Sequence, residues 1–246
     1  NHDGMGVVHA DGSRLILVRN HECPGVGGTF ADASMTYDPD VDGGTTTLVF
    51  DADKGELLAS RASLSGTLRN CSGGITPWNS WLSSEEAVLN PGRAVLDERV
   101  VDIKHAHGFV FEVPFNGPSR AEPLVAMGQR VHEAAVVHAA SGDVYMTEDA
   151  DPVAGFYRFV PKVKGELQRG GTLWMLKAEG AADLRKGHQA GARFKVRWVP
   201  VVHPEQGIGP SGRTDGNLQQ GLAEGGSRFI RLEGCYVEGD IVYFTS

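Results

Sequence analysis

The sequence predicts an all-β protein built from a repeated multi-stranded unit, and three observations carry that prediction. Short runs of alternating bulky residues recur with turn signals between them, segments with a helical apolar period are nearly absent, and lone acids close strand-like runs at a fixed interval. Glu22 closes LILVRNHE, Glu86 closes SWLSSEE and Asp149 closes VYMTED, at intervals of 64 and 63 residues. A multi-strand repeat in a chain without a membrane-length apolar run favours the blades of a β-propeller over a sandwich. The competing architecture is a large β-sandwich with accidental spacing. The interval exceeds the roughly 40–45 residues of the commonest blades, so long outer loops are expected.

Each unit reads in the order strand, turn, strand ending in an acid, loop, strand. After the three acids come TTTLVFD (45–51), HGFVFEVPF (107–115) and GFYRFVP (155–161). Before two of them comes an opening strand, at Asn70-Cys71-Ser72-Gly73-Gly74 and at Val131-His132-Glu133-Ala134-Ala135. Cys71 thus precedes Glu86 by 15 residues, and Glu133 precedes Asp149 by 16. The turns Ser141-Gly142-Asp143 and Gly239-Asp240 hold small and acidic residues that accept the positive φ of tight hairpins. GDVYMT and GDIVYFT look like one piece of two units, which aligns Glu133 with Glu233, 100 residues on. The extra length falls in a glycine-rich, basic stretch, read as an insertion at about 165–226. About four blades are represented. The chain starts abruptly and stops in a strand-like run, so the expectation is a partial β-propeller domain over 1–246.

Composition narrows the function. A hydrophobic content of 41% in 246 residues supports a sizeable core, and 33 glycines suit a turn-dense β protein. The net charge of −8 argues against nucleic-acid binding, which calls for a basic face. Three cysteines, at 23, 71 and 235, are too few and too scattered for a disulfide scaffold, and a Cys23–Cys235 bridge is disfavoured.

In a propeller the first strand of each blade lines the central channel, so Cys71, Glu133 and Glu233 would converge from three blades. Glu22, Glu86 and Asp149 would form a second set nearby. Carboxylates suit hard cations such as calcium, and one thiolate among them points to a transition metal such as iron. Any one of these acids alone reads as a solvated loop residue; the register of all six is the argument. Arg231 stands two residues before Glu233, so in an extended strand both side chains share a face, where the arginine would grip an oxyanion or pair with an acid. His105-x-His107, at a loop-to-strand edge, reads as structural, as do Trp78 and Trp81. Gly25-Val26-Gly27-Gly28 has no helix after it and is not a phosphate-cradling P-loop.

NHDGMG (1–6), LVRNHE (17–22), NCSGGITPWNSWLSSEE (70–86), HGFVFEV (107–113), HEAAV (132–136), YMTEDA with GFYRFVP (145–161) and RFIRLEGC (228–235) together resemble the PhoX-type alkaline phosphatases and their smaller relatives. The resemblance spans nearly the whole chain except 165–226. It implies a six-bladed propeller carrying ferric iron, Fe(III), and calcium, Ca2+, around a bridging oxo group, and hydrolysis of small phosphate monoesters. It implies that Cys71 is the iron thiolate ligand, that Glu86, Glu133 and Glu233 are cluster carboxylates, that Glu22 and Asp149 serve calcium, and that Arg231 holds the substrate phosphate. No serine or threonine nucleophile is then required. A monomer without a transmembrane segment, exported to the periplasm or secreted, is implied in the same way. Asn79 and Ser84 depart from the glycine and cysteine that relatives often carry. Two other functions stay open on the residues: a non-catalytic, calcium-stabilised propeller that binds a partner or sugar, and a lactonase-like hydrolase on the same scaffold.

Overall fold

A computed structural model describes all 246 residues, and the chain divides into two compact units, Asn1–Pro123 and Leu124–Ser246. Both are built almost wholly from antiparallel strands, so the predicted all-β class holds.

The first unit opens with a four-stranded meander of β1 (His2–Asp11), β2 (Arg14–His21), β3 (Gly43–Asp51) and β4 (Glu56–Thr67), in that spatial order. A three-stranded sheet follows, of β5 (Asn70–Ile75), β6 (Ser80–Glu85) and β9 (Val110–Pro114), interrupted by the hairpin β7 (Gly92–Leu96) and β8 (Arg99–Ile103). Val8, Val18, Leu64, Trp81, Phe109, Phe111 and Val113 form one core cluster; Val41, Leu68, Val101 and Ile103 form another beneath the hairpin. β6 is buried along its whole length, and two of the three serines in its polar sequence SWLSSE, Ser80 and Ser83, find partners there. Ser83 Oγ bonds Asn20 and Asn70, and Ser80 Oγ bonds Glu112. The tryptophans are structural, as the sequence predicts: Trp81 Nε1 donates to Asn20 and Trp78 Nε1 to Glu112.

The second unit holds a five-stranded meander of β10 (His132–Val137), β11 (Val144–Glu148), β12 (Phe156–Pro161), β13 (Gly171–Ala178) and β14 (Val196–Val201). A final hairpin pairs β15 (Cys235–Glu238) with β16 (Ile241–Phe244), and Phe244 stacks on Phe156 at 4.1 Å between centroids. The stretch 165–226, read from the sequence as an insertion, supplies β13, β14 and the single α-helix α1 (Gly216–Ala223). Met175 pairs with Tyr157 on one side and Val199 on the other, so these strands extend the same sheet. No helix is long and apolar enough to cross a membrane.

The two predicted turns lie where expected, between β10 and β11 and between β15 and β16. Asn79 adopts φ +62 in the turn that joins β5 to β6. Asparagine tolerates that left-handed region better than most side chains do.

Candidate metal centre

The recurrence seen in the sequence has a geometric counterpart. Glu22, Glu86 and Asp149 each follow directly on the last residue of a strand, β2, β6 and β11. Cys71 and Glu133 are each the second residue of the strand that opens their sheet, β5 and β10. The local hydrogen bonding matches as well. The Glu86 amide donates to the carbonyl of Arg69, two residues before Cys71, at 2.9 Å; the Asp149 amide donates to the carbonyl of Val131, two residues before Glu133, at 3.2 Å. Asn70 pairs with Glu85 across the first sheet as His132 pairs with Glu148 across the second. Each unit therefore presents the same two-point constellation, Cys71 with Glu86 and Glu133 with Asp149.

In the first unit Cys71 Sγ and a Glu86 carboxylate oxygen lie within 4.8 Å, both side chains half-buried. Two donors on one ion, each about 2.0–2.5 Å from it, stand at most about 5 Å apart, so the pair fits a shared cation. All three cysteines are free, and burial pushes the Cys235 thiol up to about 12 and raises that of Cys23. Cys71 is the cysteine that falls in a group of side chains able to hold a metal ion. Glu22, whose carbonyl accepts from the chain's amino group at 3.4 Å, lies at the end of β2.

In the second unit Glu133 is buried, and Arg231 gathers two further predicted residues: its Nε lies 2.7 Å from Asp149 Oδ1 and its Nη2 3.2 Å from Glu233 Oε1. The extended strand expected around Arg231 is absent. Arg231 sits in a bend with φ +48 before β15 begins, and it reaches Glu233 by that bend rather than by strand periodicity. Thr147 Oγ1 donates to the Glu233 carbonyl at 2.7 Å and fixes that backbone.

Sequence reasoning missed the buried ions behind these residues. Glu85 and Asp38 are fully buried with His107 between them, Nδ1 at 2.7 Å from Glu85 and Nε2 at 3.4 Å from Asp38. Asp38 also accepts the amides of Asp40, Lys104 and His105. Gly66, at φ +74, lies so close to Asp38 that an added Cβ would fall 2.3 Å from its carbonyl oxygen. Burial by itself favours neutral His107, but the Glu85 charge and the hydrogen bonds to Asp38 and Glu85 outweigh it and raise its pKa to about 9. A raised folded-state pKa stabilises below the unfolded value near 6.5 and is lost through the folded one. Urea midpoints of the chain should therefore fall between about pH 6.5 and 9, and His107→Asn should flatten that decline. In the second unit burial pushes Glu148 up to about 7. In the Gly25–Gly28 loop, Asp42 accepts the amides of Gly25 and Gly27.

A family model described as "Alkaline phosphatase PhoX" matches residues 52–246. The chain belongs to the PhoX alkaline phosphatase family. The match takes in 165–226, which the sequence resemblance left out, and begins after NHDGMG and LVRNHE, which it had included. Every PhoX-like site position from Cys71 to Glu233 falls inside it, and Glu22 falls outside. Neither a curated protein nor a solved structure matches the chain. A phosphatase-type function and dependence on metal follow for a PhoX member at the level of the family, and the Cys71–Glu86 pair is a donor set suited to that dependence.

Proposed function

We propose that this PhoX-family chain hydrolyses small phosphate monoesters at an iron–calcium cluster held in the channel of a β-propeller. The observation that supports it most is the apposition of Cys71 and Glu86 at the end of β6 in a chain of this family. Cys71, Glu86, Glu133 and Glu233 hold the cluster, and Glu22 and Asp149 serve calcium. When bound, the cluster supplies Lewis acidity and neutralises charge on the transferring phosphoryl group.

The chain's own residues orient the ester. Arg231 offers a planar fork that suits two phosphate oxygens, and Asp149 and Glu233 fix its direction. Export to the periplasm or exterior, and action as a monomer, belong to the same proposal and rest on the resemblance. Glu133→Gln removes one ligand charge while keeping the side-chain shape. It should lower bound metal and cut turnover of a chromogenic phosphate ester by more than the roughly 10–100-fold that losing a partner behind a ligand costs; unchanged metal and turnover would count against the ligand assignment.

One observation favours a second reading, a non-catalytic calcium-stabilised module: Arg231 already has two carboxylate partners without substrate. That reading expects calcium to raise the melting temperature with no ester turnover.

A further inference from the structure

We propose that Glu85 is a positioning residue: its buried carboxylate sets where Cys71 and Glu86 stand relative to each other. The inference rests on the reading of those two as metal ligands. Glu85 lies directly before Glu86, with its side chain fully buried. Its two oxygens take four donors. Oε1 accepts the Leu68 amide at 2.8 Å and faces His107 Nδ1 at 2.7 Å; Oε2 accepts the amides of Gly108 at 2.7 Å and Phe109 at 3.0 Å.

Those donors come from the two segments that must be held together. Leu68 begins the approach to Cys71, where the chain leaves β4 for β5, and Gly108 and Phe109 lead into β9. The same seam is laced by the Glu86 amide on the Arg69 carbonyl and by Asn70 Nδ2 on Ser83 Oγ at 2.8 Å. One carboxylate thus ties the entry to the thiolate strand, the exit of the carboxylate strand and the following strand into one unit. Three backbone amides and the imidazole disperse its charge, which a buried carboxylate requires. A glutamine keeps the shape but sets an N–H₂ against at least one of these donors, leaving buried groups unpaired.

The second unit repeats the device independently. Glu148, directly before Asp149, is 1% exposed and accepts the Gly155 amide at 2.7 Å and the Tyr157 hydroxyl at 3.0 Å, both from the segment that enters β12. In each unit a buried acid at the strand's last residue clamps the next strand, and the residue after it is the one offered to metal.

The test compares Glu85→Gln with Val113→Ala, a core truncation in β9 that loosens the same sheet without touching the clamp. The full chain, stripped of metal, is treated with iodoacetamide, and alkylation of Cys71 is followed by mass spectrometry with Cys235 as internal reference. Glu85→Gln should alkylate several-fold faster at Cys71 and not at Cys235, and should bind iron about 10–100-fold more weakly, while Val113→Ala matches wild type in both. If Glu85→Gln does not accumulate folded, Glu85→Asp, which keeps the charge and shortens its reach, should change both in the same direction. Equal Cys71 alkylation in the Glu85 variant and Val113→Ala would overturn the proposal. Wild-type chain that takes up no iron would instead overturn the proposed function, and the alkylation rates would still decide the role of Glu85.

Discussion

Cys71→Ala should abolish phosphate-ester hydrolysis and remove iron from the protein while leaving the fold in place. Cys71 is half-buried at the start of β5, with Glu86 within 4.8 Å, and its side chain takes no part in the apolar clusters of the first unit. Removing the sulfur therefore deletes a soft, anionic donor at little cost in packing. A thiolate is what selects a transition metal from a set otherwise made of carboxylates, which alone suit calcium. Loss of iron with calcium retained is thus the specific expectation, read by elemental analysis beside circular dichroism and an ester assay. Full activity with an unchanged iron content would place the metal elsewhere.

Arg231→Lys is the second large expected effect. It keeps the positive charge and loses the planar fork, so it separates charge from geometry. The guanidinium stands in a bend at φ +48, more than half exposed, and is aimed by Asp149 and Glu233. A lysine ammonium cannot meet two carboxylates and two phosphate oxygens in one plane. Removing one well-placed donor to a developing oxyanion typically costs on the order of 10²–10³ in kcat, and a loss of about that size is expected here with metal content unchanged. Steady-state kinetics on the chromogenic ester reads it, and a variant that turns over like wild type would remove Arg231 from the substrate site.

Much of this was legible before the structure because it depends on strand periodicity. An acid that closes an alternating run and is followed by a loop lies at a strand end, and Glu22, Glu86 and Asp149 all do. The pairing of Cys71 with Glu86 follows from hairpin register, since a short turn places the start of one strand beside the end of the next. Features that depend on distant partners were not legible. Nothing local to Glu85 announces that His107, 22 residues away, will face its carboxylate, or that Asp38, 69 residues from His107, will hold the other nitrogen of that ring. The bend at Arg231 was hidden for a similar reason: its amide bonds the Ala150 carbonyl, a tertiary contact that overrides the extended pattern of RFIRLEGC. β13 and β14 were hidden by their setting, because glycines and charges around GTLWMLKA mask an alternation whose inward residues, Leu173 and Met175, are buried.

The proposed function requires that this PhoX-family chain hold iron and calcium together and use them on phosphate esters. The most direct test is elemental analysis of the purified protein for both metals, paired with turnover of a chromogenic phosphate ester on the same sample. Iron and calcium in stoichiometric amounts with turnover is the predicted result; calcium alone without turnover would contradict it.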